Sequence, residues 1–308
     1  MRFAVVGAGA LGSAIGGVLT EAGHDVLLIT RNQAHVDAIG QHGLTLRTQG
    51  VDRTIAARAA TSATGQPPVD CAIVLVKSAQ TRDAVSAAMS LIRPNTCVLS
   101  LQNGLGHEDI LSELVSAHRV LAGKTYCGGQ MIAPGHVICG HVGKDTHIGE
   151  LDGAITPRIQ AIAAALNAAG LHTTVSNNIM GTIWDKLFIN VATGALAGIT
   201  RLAYGDLYQM PELQSVAVAA VTEAMAVARA KGIRTSITDP VQAWRKAGAG
   251  LPAEFKPSIL QTLERGVRTE VDYINGAVVA LGAVHGVPTP VNSTLLACIK
   301  GIEKNFPA

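Results

Sequence analysis

Charged and aromatic residues are both scarce in this chain. Charged residues make up 15% of the 308 residues and aromatic residues 3%, and the 24 Lys and Arg nearly balance the 22 Asp and Glu. A nucleic-acid-binding protein typically carries a basic patch or stripe, interleaved with aromatic side chains that stack on bases. The composition therefore predicts that nucleic acid is not a partner.

Paired cysteines and long hydrophobic runs are also missing. The five cysteines form an odd set without a CxxC pair, which is typical of free thiols in a reducing compartment. The longest apolar stretches, 187–200 and 274–284, are shorter than the ~20 residues that a membrane-spanning helix needs. We therefore expect a cytoplasmic, soluble protein with no membrane partner.

A metal site is not predicted either. His136, His141 and His147 lie in a segment that has the pattern of β-strands, and they lack the i, i+4 spacing of a helical pair of metal ligands.

The first half of the chain alternates short apolar runs with helical stretches, which is typical of parallel strands covered on both faces by crossover helices. The predicted strands are 3–6, 26–30, 72–76 and 97–101, and the predicted helices are 11–22, 32–42 and 80–92. From about 126 to 149 the segments become short and alternating, with turns at Pro134-Gly135 and Gly140, which indicates antiparallel additions. The pattern predicts a Rossmann-type doubly wound sheet.

The second half has only helical patterns. Thr156-Pro157 predicts the start of a helix that ends near Gly170, and 171–175 would be the last strand. Beyond Ser176 the helical patterns are 179–202, 213–231, 258–265 and 270–285. We therefore predict an α/β protein with a dinucleotide-binding domain at 1–176 and an all-helical substrate domain at 177–308. The apolar helices could pack within that domain or across a homodimer, and the sequence leaves both open.

A glycine-rich motif directly follows the first strand and opens the first helix. Gly7-Ala8-Gly9-Ala10-Leu11-Gly12 is a GxGxxG sequence, in which glycine permits a tight turn and close approach of the backbone to a pyrophosphate. The helix N-terminus adds free N–H donors and a positive dipole end. This context favours dinucleotide binding over a plain structural turn.

The residue after the second strand predicts which dinucleotide is bound. An NAD site usually has Asp or Glu there to bind the ribose hydroxyls, whereas this chain has Arg31. A guanidinium pairs well with a 2′-phosphate, so NADP(H) is the favoured cofactor. The alternative is an ordinary exposed arginine ahead of a helix that Asn32 caps.

Polar residues also end the third and fourth predicted strands, at the sheet edge where open α/β proteins bind ligands. Lys77 could approach the phosphates or ribose of the cofactor, and Asn103 could touch the nicotinamide ribose or the substrate. The alternatives are a solvated lysine and an Asn-Gly turn with no ligand.

Two candidates for the chemistry lie in the helical half. Lys186 and Asn190 are four residues apart, hence on one helix face, and a lysine in a cleft could stabilise the alkoxide that hydride transfer produces. The alternative is a surface lysine whose stem packs on Trp184 or Phe188. Thr269 and Asp272 form a T-x-x-D capping signal that would put Glu270 in the first turn of a helix. Ser258 has the position of an N-cap, although its hydroxyl could reach a ligand instead.

In chain order, these residues resemble the ketopantoate reductase (2-dehydropantoate 2-reductase) family over nearly the whole sequence. The matching motifs are Gly7 to Gly12, Arg31, Lys77, Gln102-Asn103-Gly104, Thr146-His147-Ile148-Gly149, Trp184-x-Lys186-Leu187-x-x-Asn190, Lys256-Pro257-Ser258-x-x-Gln261, Thr269-Glu270-x-Asp272-x-Ile274-Asn275-Gly276 and His285-Gly286-Val287-x-x-Pro290. The resemblance implies NADPH-dependent reduction of a 2-keto acid to a 2-hydroxy acid. The favoured substrate is ketopantoate, which would be reduced to pantoate in pantothenate biosynthesis. The resemblance further implies that Lys186 is the general acid and that Glu270 helps to place both substrate and cofactor. Asn103, Asn190 and Ser258 would bind substrate.

Two positions depart from the family's pattern on the substrate side. A second asparagine two turns after the lysine is replaced by Gly194, and an asparagine before Gly205-Asp206-Leu207 is replaced by Tyr204. We expect Gly194 to leave a wider and less polar pocket, so a paralogue for another branched or aromatic 2-keto acid stays open. A β-hydroxyacid dehydrogenase type of enzyme and a catalytically silent NADP(H) sensor are further alternatives.

Overall fold

The computed structural model describes residues 1–306, and the chain divides into two compact units. The first unit comprises Met1–Gln102 and His107–Ile179, and the second comprises Asn103–Gly106 together with the chain from Met180 onward. The short segment 103–106 therefore belongs with the helical unit, although its sequence neighbours on both sides lie in the first.

The first unit is built on an eight-stranded sheet in the order β12-β11-β8-β7-β6-β1-β2-β5. Its strands are β1 (Arg2–Val6), β2 (Asp25–Ile29), β5 (Arg58–Ala60), β6 (Cys71–Val74), β7 (Cys97–Ser100), β8 (Val120–Thr125), β11 (Thr146–Glu150) and β12 (Thr173–Val175). Neighbouring strands are parallel except for the antiparallel pair β8 and β11. The predicted doubly wound sheet is confirmed.

Both faces of this sheet are buried by helices. The helices of this unit are α1 (Ala10–Glu21), α2 (Gln33–His42), α3 (Thr81–Ala87), α4 (His107–Val115) and α5 (Pro157–Ala168). Phe3 and Val5 of β1 belong to one hydrophobic core, and Ala4 and Val6 belong to another. Because side chains alternate along a strand, an apolar run such as 3–6 requires a core on each face.

A second, four-stranded sheet in the order β4-β3-β10-β9 packs on α1. Its strands are β3 (Leu44–Thr48), β4 (Val51–Ile55), β9 (Gly128–Ala133) and β10 (His136–Gly140). The predicted antiparallel additions are present as β9 with β10 and as β11 with β8. β10 also pairs in parallel with β3. The strands β3, β4, β5 and β8 lie outside the predicted strands.

The described part of the second unit consists of helices without strands. These helices are α6 (Ile179–Thr200), α7 (Tyr204–Leu207), α8 (Pro211–Ala230), α9 (Pro240–Gly248), α10 (Ser258–Glu264), α11 (Asn275–His285) and α12 (Pro290–Glu303). Gly286 ends α11 in the left-handed conformation (φ 68°), which glycine adopts without strain.

α8 is long and apolar enough to span a membrane when judged by length and composition alone. The most apolar part of this helix is 39% buried inside the protein, and the core helix of a soluble protein meets the same criterion.

Candidate active site

The glycine-rich motif forms the turn between β1 and α1. Gly7 has φ +104°, and a Cβ atom there would collide with the backbone of Leu75 and Val76. A Cβ at Gly12 would collide with the Gly7 carbonyl oxygen, whereas a Cβ at Gly9 would have no atom within 4 Å. Two glycines therefore allow the tight packing, and the third leaves the backbone open to a ligand. The first turn of α1 points N–H groups without intrahelical acceptors toward the same loop.

Arg31 and Lys77 lie at the same edge of the sheet as this loop. Arg31 follows β2, the glycine-rich motif follows β1 and Lys77 follows β6, and these three strands are parallel neighbours. Both side chains are exposed. The structure thus places the glycine-rich motif, Arg31 and Lys77 after three adjacent parallel strands, at the carboxyl edge where open α/β sheets bind ligands.

Gln102 is a residue of this edge to which the sequence analysis gave no role of its own. Its Nε2 donates to the Val76 carbonyl oxygen and to Thr81 Oγ1, both at 2.9 Å, and the side chain is buried. The amide therefore ties the chain after β7 to the chain after β6. The signal for this role was a glutamine directly after an apolar strand.

Lys186 and Asn103 meet in the second unit. Lys186 Nζ donates to Asn103 Oδ1 at 2.6 Å, and both residues are half-buried. Gly104 has φ +94°, and its Cβ position lies only 2.5 Å from the Tyr273 carbonyl oxygen, to which Leu105 N also donates at 3.0 Å. The Asn-Gly sequence therefore forms a turn and also supplies a site residue, because the turn at Gly104 holds the Asn103 amide against Lys186.

Glu270 lies beside this segment, but not in a helix as predicted. The carbonyl oxygen of Glu270 accepts the N–H of Tyr273 in a short 3-10 turn, and α11 begins only at Asn275. The prediction that Thr269 caps a helix through 270 is wrong. Thr269 donates its N–H and hydroxyl to Glu303 Oε1, both at 2.7 Å, and its Oγ1 accepts the N–H of Val271 at 3.2 Å, at the start of the 3-10 turn. The chain bends at Ile274, before α11.

Asn190 and Gly194 continue the face of α6 that carries Lys186, because successive spacings of four residues share one helix face. A Cβ at Gly194 would lie 3.0 Å from Ile259 Cδ1 of α10. The expected wider pocket at Gly194 is therefore not found, since a packed isoleucine covers this position. Asn190, one turn earlier, is half-buried.

Ser258 and Tyr204 also differ from their sequence-based interpretation. Ser258 is exposed, and it is the first residue of α10 rather than its N-cap, a position that Pro257 occupies without a side-chain hydrogen bond. Tyr204 is buried, its hydroxyl lies 2.9 Å from Thr193 Oγ1, and burial raises its pKa. The tyrosine thus fills the interior of the second unit and has its own polar partner there.

Two buried titratable residues open α4 in the first unit. Burial raises the pKa of the Glu108 carboxyl to about 7 and lowers the pKa of the adjacent His107 imidazole to about 4. Both groups therefore favour their neutral forms in the folded protein. Within residues 1–306, no cluster of three or more His, Cys, Asp or Glu side chains is arranged to hold a metal ion.

Residues 3–153 match the family model described as ketopantoate reductase PanE/ApbA, and residues 178–303 match the model of its C-terminal part. The chain belongs to the ketopantoate reductase family. A curated relative, a 2-dehydropantoate 2-reductase from Archaeoglobus fulgidus, is 34% identical to this chain over 306 residues, which are 99% of each chain.

Solved structures of similar fold also match nearly the full length of this chain. A PanE/ApbA family ketopantoate reductase from Ralstonia eutropha has a TM-score of 0.89 and 36% identity, with 99% of each chain covered. A D-mandelate dehydrogenase solved with NADH and anilino(oxo)acetate has a TM-score of 0.90 and 28% identity, again over 99% of each chain. The resemblance drawn from the sequence motifs is therefore confirmed over both halves.

Proposed function

We propose that this protein reduces a 2-keto acid to a 2-hydroxy acid with NADPH, and that 2-dehydropantoate (ketopantoate) is its substrate in pantothenate biosynthesis. The observation that carries the proposal is the 2.6 Å hydrogen bond from Lys186 Nζ to Asn103 Oδ1, two residues that are 83 positions apart in sequence. Full-length similarity to a 2-dehydropantoate 2-reductase supports the choice of substrate.

The proposed mechanism assigns proton transfer to Lys186. A reduced nicotinamide dinucleotide, when bound, supplies a hydride to the carbonyl carbon of the substrate. The Lys186 ammonium donates a proton to the carbonyl oxygen as negative charge develops there, and the lysine then regains a proton from solvent. Asn103 Oδ1 accepts a hydrogen bond from Nζ and so holds the ammonium in one orientation. Glu270, next to the Tyr273 turn against which Gly104 packs, is proposed to orient substrate and cofactor.

The proposed cofactor is NADP(H). The glycine-rich turn fits a pyrophosphate because the position of Gly9 is open while Gly7 and Gly12 make the turn compact. The D-mandelate dehydrogenase solved with NADH supports a nicotinamide dinucleotide in general. Arg31, with no carboxylate at its position after β2, is the reason for preferring the 2′-phosphorylated form.

A second candidate substrate is an aromatic or branched 2-keto acid. Similarity to a D-mandelate dehydrogenase that binds anilino(oxo)acetate favours it. The proposed hydride chemistry is the same for both candidates.

The test is a steady-state screen of NADPH oxidation with ketopantoate and with aromatic and branched 2-keto acids. A kcat/KM for ketopantoate at least about tenfold above the others supports the assignment, and the reverse order supports the second candidate. Turnover of none of these acids by a protein that binds NADPH would contradict the proposal and favour the silent sensor.

A cytoplasmic location and a homodimer are also proposed. All five cysteines are free thiols, which is typical of a reducing compartment. The mass of the protein in solution, measured by light scattering, tests the dimer.

A further inference from the structure

A continuous chain of buried hydrogen bonds lies behind the glycine-rich loop. The backbone N–H of Gly135, in the turn between β9 and β10, donates to His35 Nδ1 at 2.8 Å. His35 Nε2 lies 2.9 Å from Ser13 Oγ, and Ser13 Oγ donates to the Ala8 carbonyl oxygen at 3.2 Å. Ala8, Ser13 and His35 are 0% exposed, so water does not compete for these bonds.

The geometry determines the direction of every bond in this chain. A backbone N–H can only donate, so His35 Nδ1 must accept and carries no proton. A neutral imidazole then has its proton on Nε2 and donates it to Ser13 Oγ, whose own proton goes to the Ala8 carbonyl. Burial lowers the pKa of His35, which agrees with a neutral ring. Each donor and acceptor in the chain therefore has a partner.

The elements joined by His35 are those that carry the proposed cofactor contacts. Ala8 is the second residue of the glycine-rich motif, and its N–H donates to Ile29 O of β2. The N–H of His35 donates to Asn32 Oδ1 at 3.2 Å and thereby closes the first turn of α2, directly after Arg31. The His35 side chain thus reaches the loop proposed to bind the pyrophosphate, while the backbone N–H of the same residue completes the cap of the helix that follows Arg31.

An ordinary core residue could fill this volume without these bonds, and a histidine buried without charge partners is costly unless its polar atoms are paired. Leucine or phenylalanine at position 35 would leave the Gly135 N–H without its acceptor and would remove the donor to Ser13 Oγ. The bonding of both ring nitrogens is thus the feature of His35 that an apolar side chain does not supply.

We propose that His35 is a positioning residue for the dinucleotide, which acts through Ser13 on the glycine-rich loop. This inference rests on the proposed function, since it assumes that the loop binds a nicotinamide dinucleotide. His35 itself touches neither the substrate nor the reacting atoms.

Two variants of the full-length protein break the chain at different bonds. Ser13→Ala removes the tie to Ala8 and leaves the Gly135 bond intact. His35→Asn retains an acceptor for the Gly135 N–H, but its shorter side chain does not reach Ser13. Thr20→Val is the matched control, because it removes a hydroxyl that donates to a backbone carbonyl in the same helix, at the end far from the loop.

The measurement is the Kd of NADPH and of NADH by titration, with kcat at saturating nucleotide and the thermal midpoint of each variant. We expect each site variant to raise the Kd of both nucleotides about three- to tenfold, with kcat within about twofold of the wild type. The double variant should bind no more weakly than the worse single variant, because both substitutions cut the same chain. Thr20→Val should leave both Kd values unchanged.

Unchanged Kd values in site variants that remain folded would overturn the inference and leave His35 a structural core residue. A loss confined to NADPH would overturn it too, because the glycine-rich loop binds the part that both nucleotides share. Failure of the proposed function looks different, since the wild-type protein would then bind neither nucleotide or would bind NADPH without turning over any 2-keto acid.

Discussion

At the scale of single residues, Arg31 is expected to decide the choice between the two nicotinamide nucleotides. Arg31→Ala should weaken NADPH binding by roughly 1.5–3 kcal/mol, typical of a hydrogen bond between charged groups, and should leave NADH nearly unchanged. Titration of both nucleotides into both proteins measures this. Arg93→Ala, which removes another exposed arginine from the first unit, is the control. Equal losses for the two nucleotides would mean that Arg31 acts on the loop rather than on the 2′-phosphate.

Lys186 is expected to be the residue on which the chemical step depends most. Lys186→Met keeps much of the side-chain volume but removes the ammonium, so kcat should fall by about two to four orders of magnitude. The Kd of NADPH should change little, because the glycine-rich motif, Arg31 and Lys77, which are proposed to bind the phosphates of the nucleotide, lie in the first unit. Rapid-mixing and steady-state kinetics check both values, with the exposed Lys246→Met as control. A variant that retains most of its kcat would remove Lys186 as the acid.

At the scale of elements, the close packing of α6 on α10 predicts the effect of a side chain at position 194. Gly194→Asn should destabilise the protein by about 1–3 kcal/mol, because even its Cβ lies 3.0 Å from Ile259 Cδ1 and the rest of the side chain needs more room. Urea denaturation measures the change. If Gly194→Asn combined with Ile259→Ala recovers part of the loss, the isoleucine is the cause. A shift in substrate preference without loss of stability would instead show that position 194 faces the substrate.

The first turn of α4 predicts a pH dependence of stability. The folded-state pKa of Glu108, about 7, lies above its ordinary value of 4.5, so the folded protein holds this proton more tightly than the unfolded chain does. The buried carboxyl therefore costs stability increasingly as pH rises from about 4.5 to 7, and the cost is constant above that.

Glu108→Gln should stabilise the protein at pH 8 by up to about 3 kcal/mol and should have little effect near pH 4. The pKa of His107 is lowered to about 4, so the unfolded chain takes up a proton below pH 6.5 that the folded protein does not, and stability falls on acidification. This second contribution is common to both proteins and cancels in their difference. Urea unfolding of the wild type and of Glu108→Gln at several pH values measures the difference in their free energies of unfolding. The exposed Glu113→Gln, in the same helix, is the control. A stability difference between Glu108→Gln and the wild type that does not change with pH would contradict the raised pKa of Glu108.

At the scale of the whole molecule, the proposed cofactor should stabilise the folded protein by mass action. NADPH at about 100 times its Kd should add about 2.7 kcal/mol to the free energy of unfolding, which corresponds to a rise of a few degrees in Tm. Differential scanning fluorimetry over a series of concentrations checks this rise. Arg31→Ala should shift the concentration dependence for NADPH to higher values, and a Tm independent of nucleotide would argue against a dinucleotide site.

Much of the fold could be predicted from local sequence patterns. The apolar runs near 3–6, 26–30, 72–76 and 97–101 are strands of a parallel sheet, and Thr156 accepts the N–H of Ile159 as the predicted N-cap. These features depend on alternation, helix period and capping, which are properties of neighbouring residues. The glycine-rich turn is partly of this kind. The positive φ of Gly7 and the approach of Gly12 to the Gly7 carbonyl oxygen are local, whereas the backbone of Leu75 and Val76, which also excludes a Cβ at Gly7, is distant in sequence.

The tertiary structure alone decided the contacts between residues far apart in the chain. β10 pairs with β3, Thr269 bonds Glu303 at a separation of 34 positions, and Ile259 covers Gly194. By itself the sequence determined the order and type of most elements and which polar residues were candidates for the site. It did not determine which candidates meet, as Lys186 and Asn103 do, because periodicity and capping report only on neighbours along the chain, whereas such pairs depend on how whole elements pack.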